Sequence, residues 1–441
     1  MNKELINNIL IALSVLAVIV LGVYLVDTLH PTPKNITVIR WCADPNPMRK
    51  ITIDGFEKKN PNIKVVNDPG ADAQTILTQL AGNTPPEIMT AYDVETLRKF
   101  NKYGLLEDLT PYVKKYQLPM DKMYPELKDF VYCDNKIVGI PENLGALHLF
   151  YNKKLFDDAG IPYPTNDWTW KDLERVAKQL TTYKKVGNRE VPLTKGLFVL
   201  DFPDLFVRMY GGHIYSPDGK KCVINSPESK KGMLYWEKLR MKEKVIPSAS
   251  EAASMAPTGG WGGDQLLFAQ GKVAMVITGR WMIISFRDYK DLRYGAVKLP
   301  KAPYPNNILF SKSYCIPKAS KHKEKSILFL KNILSNDNQT LVTNYGDGWP
   351  VLNTPEVIKK ALFNPAHPED DNNKALMSDI DGAKPFEISP YISSVDYGQI
   401  QTLELSRVWV GEQTMDQACE NIAKRINEII NRNLKNPNFI K

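Results

Sequence analysis

The chain has 441 residues, 43% hydrophobic and 24% charged, with a formal net charge of +8. That length exceeds one ordinary domain and suits two lobes, and the composition is globular, which excludes a disordered chain. Basic residues are scattered apart from Lys318-Ala319-Ser320-Lys321-His322-Lys323-Glu324-Lys325, which reads as solvated surface, so no basic, aromatic-interleaved stripe marks a nucleic-acid footprint.

From the N-terminus, residues 9–26 form an almost unbroken apolar run preceded by Lys3. The run is close to the length that crosses a bilayer as a helix. No A-x-A-like cleavage site follows it, and the first cysteine, Cys42, lies well beyond it in no lipobox context. The expectation is an uncleaved N-terminal transmembrane helix, with cleavage at a non-standard site as the alternative. Residues 27–35 follow as a short Pro-containing tether.

Strand-like and helix-like segments then alternate: strands over 36–41 and 63–67, helices over 49–59 and 75–80. This alternation argues for α/β lobes. A helix over 94–103 ends at Gly104. A strand over 146–151 leads through Asn152-Lys153 into a short helix closed by Gly160, the residue type that adopts a left-handed C-cap. Thr169 with Asp172 three residues on starts the next helix, whose Trp170, Leu173, Val176, Ala177 and Leu180 share one face. A strand over 273–278 and a helix over 326–334 follow. The last helix, over 415–434, is capped by Thr414 with Gln417 at the third position, and Ala418, Ile422, Ile426 and Ile429 form its apolar stripe.

The five cysteines are dispersed with no CxxC, and the five histidines show no HExxH or paired metal spacing. Buried free thiols are the expectation, with a disulfide left open by geometry that sequence does not supply. No metal and no cofactor is expected. No G-x-S-x-G elbow, metalloprotease helix or phosphate loop is present, so no catalytic residue is assigned. Several residues stand out as binding candidates. Tyr92 and Asp93 follow the strand over 88–91, where open α/β sheets bind ligands, although Asp93 serves equally as a helix cap. Trp261 sits within Gly259-Gly260-Trp261-Gly262-Gly263, where glycines let backbone approach a ligand. Trp349, in Gly346-Asp347-Gly348-Trp349-Pro350, lines a cleft or stiffens a hinge.

Several segments, in order, resemble one family. Gly55-Phe56-Glu57-Lys58-Lys59-Asn60-Pro61-Asn62-Ile63-Lys64-Val65 looks like its first helix and second strand. Leu80-Ala81-Gly82-Asn83-Thr84-Pro85-Pro86-Glu87-Ile88-Met89 is similar to the run before its third strand, with Glu87 where Asp is usual. Tyr151-Asn152-Lys153-Lys154-Leu155-Phe156, then Ala159-Gly160-Ile161, carries its central signature. Gly271-Lys272-Val273-Ala274-Met275 with Gly279-Arg280-Trp281 resembles its Gly-Lys-x-Ala-Met motif and downstream tryptophan, and Tyr294-Gly295-Ala296-Val297-Lys298-Leu299-Pro300 its crossing strand. The family is that of the family 1 extracellular solute-binding proteins, the maltose-binding-protein-like receptors of ABC sugar importers.

The resemblance implies a type II periplasmic-binding-protein fold, two α/β lobes with a hinge and an interlobe ligand cleft. The expected division is an anchor and tether over 1–35, one lobe from 36–145 plus 300–347, and another from 146–299 plus 348–441. Chain crossings are placed at 145–147, 299–302 and 346–351. It also implies a carbohydrate ligand, ABC permease partners and residence on the extracytoplasmic face of the membrane, periplasmic or cell-surface. By family position Asp44, Asn143, Arg280, Trp281 and Tyr397 join the candidates, Trp281 as the ring stacking on the ligand and Arg280 leaving room for an anionic one. A ligand-sensing subunit of a signalling partner, and a membrane-anchored glycan-active enzyme, remain as alternatives.

Overall fold

The computed structural model describes residues 36–70, 72–255, 263–368 and 370–436. The expected transmembrane helix over 9–26 and Trp261 lie outside the described residues, among which no helix is long and apolar enough to cross a membrane.

Two sheets organise the chain. The first starts with β1 (Thr37–Cys42) parallel to β2 (Ile63–Asp68), and continues through β3 (Met89–Ala91), reached from β1 by the parallel bridge Trp41–Ile88. A two-stranded hairpin, β4 (Tyr132–Cys133) and β5 (Lys136–Ile137), precedes β6 (Ile140–Gly145). The second sheet takes β7 (His148–Asn152), β8 (Thr182–Val186), β9 (Arg189–Val199), β10 (Val273–Thr278) and β11 (Tyr294–Lys298), in the order β11-β7-β10-β9-β8. The chain then returns as β12 (Phe310–Cys315) and β13 (Trp349–Pro350), completing the first sheet in the order β13-β6-β12-β3.

Local signals produce the helices that cover these sheets. Helix Lys153–Ala159 ends on Gly160 at φ +64°. Helix Trp170–Leu180 has the full capping box between Thr169 and Asp172 and buries all five side chains of its expected face. Leu173, Val176 and Leu180 each contribute roughly 1.5–3 kcal/mol on leaving water. The helix lies so close to β9 that a Cβ on Gly196 would fall 1.9 Å from the Ala177 carbonyl oxygen, so only glycine fits there. Helix Met415–Leu434 shows its capping box too and buries Ala418, Ile422 and Ile426, with Ile430 ahead of the half-buried Ile429. All five cysteines are free and buried.

The cores show where the chain changes lobe. Ala146 packs in the first core and Leu147 in the second, at the expected first crossing. The second crossing lies later than 299–302: Leu299 and Ile308 belong to the second core, Leu309 to the first. The expected third crossing at 346–351, and with it the boundary at 347/348, is corrected by strand pairing. Trp349 and Pro350 pair with Leu144 and Asn143 of β6, which keeps the chain on the first sheet. Val351, Leu376, Ile380 and Ala383 remain in the first core, and Ile392 is in the second. The third crossing therefore lies between Ala383 and Ile392.

Candidate functional site

An ionic network is built into the strand ends of the first sheet. Asp44 and Asn46 lie in the loop after β1, Arg49 in the first turn of helix Met48–Lys59, Glu142 and Asn143 on β6, Lys312 and Tyr314 on β12, and Asp347 ahead of β13. Arg49 Nη1 donates to both Glu142 oxygens at 2.7 and 2.8 Å, its Nε to Asp44 at 3.0 Å and its Nη2 to Asp347 at 3.1 Å. Lys312 Nζ reaches Glu142 at 3.1 Å and Asp44 at 3.2 Å, and the Tyr314 hydroxyl donates to Glu142 at 2.7 Å. Asn46 Nδ2 donates to Asp347 Oδ1 at 2.7 Å, and Asn143 Nδ2 to the Asp347 carbonyl oxygen at 2.5 Å. Burial raises the Asp44 and Glu142 carboxyls, but Lys312 and Arg49 outweigh it and hold both below the usual carboxylate range. At Asp347 burial wins over the same two cations and the carboxyl is held above it. Two cations thus serve three carboxylates, and loops far apart in sequence are fixed together.

Beside this network a cavity of about 340 Å³ opens between the two cores. Tyr92, Asp93 and Glu95 enter it from the end of β3 and the following helix Val94–Lys102, Phe310 and Ser311 from the second crossing, and Phe386 and Glu387 from the third. Asp204, Tyr215 and Tyr397 close it from the second lobe. Phe310 and Phe386 meet edge-to-face at 5.5 Å, both meet Phe202, at 5.8 and 5.1 Å, and Trp281 backs Phe310 at 5.0 Å. One wall is therefore aromatic, and Tyr92, 40% exposed, stands among the first-lobe lining residues.

The polar groups are positioned by backbone. Asp93 caps its helix, accepting from Thr96 N at 2.6 Å. Glu387 accepts from Ile214 N, Tyr215 N and His213 Nδ1 at 2.7, 3.0 and 2.7 Å. Asp204 accepts from Arg208 at 3.1 Å and from Glu387 N at 3.2 Å, and burial still raises its carboxyl. Glu95 accepts from Ser394 N at 2.7 Å, the first amide of helix Ser394–Trp409, which links the two lobes directly. The Tyr397 hydroxyl is buried without a hydrogen-bond partner among the described residues. A buried orphan of this kind costs about 1–3 kcal/mol until something bonds to it. Aromatic faces, fixed carboxylates and an unsatisfied hydroxyl can together hold a polyhydroxylated ligand; the site shows no arranged nucleophile, and no metal-holding cluster occurs among the described residues.

The expected residues within the described part of the chain take different places. Tyr92, Asp93 and Tyr397 line the cavity. Asp44 and Asn143 belong to the ionic network, and Trp281 is half-buried one layer behind Phe310. Arg280 and Trp349 are corrected: Arg280 is 1% and Trp349 0% exposed, and the guanidinium lies over the indole at 4.2 Å. Arg280 donates to Asn373 Oδ1 at 2.6 Å and the Thr343 carbonyl at 3.2 Å and lies 3.5 Å from Asp370, and Trp349 donates to His148 Nε2 at 3.4 Å. Both brace the lobes behind the hinge. Glu95, Asp204, Tyr215, Phe310, Phe386 and Glu387 were not anticipated. The only local hint was Pro385-Phe386-Glu387, an aromatic–acid pair after proline in an otherwise polar stretch.

A sequence model described as "Bacterial extracellular solute-binding protein" matches residues 43–340, more than half of the chain. The chain belongs to this family. Among curated members, it is 25% identical over 292 residues to the galactooligosaccharide-binding protein of Bacillus subtilis, covering 62% of this chain and 63% of that one. It is 27% identical over 232 residues to the maltodextrin-binding protein MdxE of the same organism, covering 51% and 49% respectively. The matched region thus spans less than two thirds of either relative. An ABC substrate-binding protein from Listeria monocytogenes, solved in complex with cycloalternan, superposes with a TM-score of 0.78 at 24% identity over 90% of this chain and 100% of that one. This solute-binding protein therefore has the family's two-lobed α/β fold, and its cavity lies between the lobes.

Proposed function

We propose that this chain is an extracytoplasmic receptor that captures a carbohydrate in its interlobe cavity and delivers it to the permease of an ABC importer, without catalysis. The observation that carries the reading is the cavity itself: aromatic rings, backbone-fixed carboxylates and the orphan Tyr397 hydroxyl converge where two of the crossings join the lobes. The names of its relatives, binding proteins for galactooligosaccharides and maltodextrins, support a saccharide as the ligand. Tyr92, Asp93 and Tyr397 are its proposed contacts from the sequence, joined by Glu95, Asp204, Phe310, Phe386 and Glu387.

A thermal-shift screen against mono- and oligosaccharides tests this directly. A saccharide at ~100 times its dissociation constant is expected to add about 2.7 kcal/mol of stability and to be recovered chemically unchanged. A sugar consumed during the assay points to an enzyme, and silence across the panel rejects the receptor reading.

The apolar run at 9–26 supports an uncleaved membrane anchor. Expressed in a bacterial host, the protein is expected in the membrane fraction with its N-terminus intact by mass spectrometry. A mature chain beginning after Val26 would make the run a cleaved signal.

A further inference from the structure

The charge of the cavity narrows the ligand, on the reading that a saccharide binds there. Its lining contains four carboxylates, Asp93, Glu95, Asp204 and Glu387, and no lysine, arginine or histidine among the described residues. Two cations next to the lining, Arg208 and Lys312, are already engaged. Arg208 donates to Asp204 and to the carbonyl oxygens of Lys384 and Pro385, and Lys312 lies among Asp44, Glu142 and Asp347. Arg280, the residue that left room for an anion, is buried behind the hinge.

The four carboxylates are not equivalent. Asp204 has Arg208, and Glu387 has His213 with two backbone amides. Asp93 and Glu95, two residues apart at the start of one helix, are bonded only to neutral groups, Thr96 and the Ser394 amide. Burial holds the Glu95 carboxyl above its usual range, with Asp93 adding to the rise and the Ser394 amide and Lys99 opposing it. An anionic group placed in the cavity meets two negative charges, neither of which is ion-paired to a cation among the described residues. The chain as a whole is basic, at +8, so the sign of this lining is opposite to that of the molecule.

We infer that the ligand is a saccharide without phosphate, carboxylate or sulfate groups, and that Glu95 with Asp93 is the pair that rejects anionic sugars. The hydroxyls of a neutral sugar donate to these carboxylates, whereas a phosphate or uronate oxygen has nothing to donate and repels them.

The test compares matched pairs on the full chain by calorimetry: maltose with maltose 6′-phosphate, and galactobiose with digalacturonate. A neutral member is expected to bind and its anionic partner to bind roughly 30-fold more weakly or worse, from like charges at short range in a partly screened site. E95Q is expected to narrow that ratio by about fivefold or more, since one of the two repelling charges is gone. Wild-type protein supplies a second readout: the ratio should shrink from ~0.01 M to ~1 M salt, as the Debye length falls from about 30 to about 3 Å. An anionic partner that binds as tightly as the neutral one, or a ratio unmoved by both E95Q and salt, overturns the inference and leaves the receptor reading standing. Folded protein that binds none of the sugars, neutral or anionic, overturns the receptor reading and this inference together.

Discussion

Replacing Arg49 by methionine is expected to lower the unfolding free energy by about 3–5 kcal/mol at neutral pH, the range for breaking a buried ion pair from one side. Arg49 is 1% exposed and bonds Glu142, Asp44 and Asp347. Without it, Lys312 alone faces three carboxylates, of which Glu142 and Asp347 are buried. Methionine keeps much of the apolar stem beside Trp41, whose ring lies 5.5 Å from the guanidinium, so the loss reports charge more than packing. The pH dependence has a definite sign. Asp44 and Glu142 sit below their unfolded pKa values in the wild type, so their contribution is present at neutral pH and is lost as pH falls through the folded values. In the variant the same carboxyls lose a cation and move upward, so protonation becomes favourable to the folded state. The gap between variant and wild type should therefore narrow as pH falls from about 7 towards about 4.5. Urea unfolding at both pH values checks this. A deficit under ~1 kcal/mol at neutral pH, or one that widens on acidification, would show that the network is not an obligate charge balance.

The parts of the molecule that were legible in the sequence are those decided within a few residues. Thr169 and Asp172 make a capping box and the five apolar residues after them make a buried face because both depend on helical spacing alone. Gly160 and the strand–helix alternation are local in the same sense. The lobe boundaries were not. Pro and Gly near 300–302 and 346–348 are turn signals, but whether a turn leads to the other lobe depends on which strand pairs next, and β13 pairs back to β6 across some 200 residues of chain. The site divides along the same line. Tyr92 and Asp93 were readable because they directly follow a strand. Phe310, Phe386 and Asp204 become neighbours only when two crossings and a second-lobe helix converge, and nothing within any one segment records that. Arg280 and Trp349 misled for a related reason. Each stands next to a turn, but β10 and β13 deliver them behind the hinge, where they stack on each other.

Tyr92→Ala is expected to weaken saccharide binding about 30- to 100-fold, near 2–2.7 kcal/mol, while Tyr92→Phe stays within a few-fold of wild type. Tyr92 is 40% exposed, and a sugar's C–H face can cover that surface. Its backbone is held in place on both sides. Ala91 pairs with Ser313 of β12, and Asp93 caps the helix that follows. Little rotamer and loop freedom remains to be lost on binding, so most of the covered area appears as affinity. Removing a partly exposed ring from a strand end should change the stability of the unliganded protein by only about 0.5 kcal/mol, which separates loss of contact from loss of fold. Phe310 and Phe386 allow no such separation, since both pack against Phe202 and truncation of either opens a void in the wall that joins the lobes. Calorimetric titration of wild type, Tyr92→Ala and Tyr92→Phe with the best sugar from the thermal-shift panel decides the matter. Alanine within threefold of wild type would place the stacking contact on the Phe310–Phe386 wall alone, whereas a phenylalanine variant as weak as alanine would shift the weight from the ring face to the Tyr92 hydroxyl.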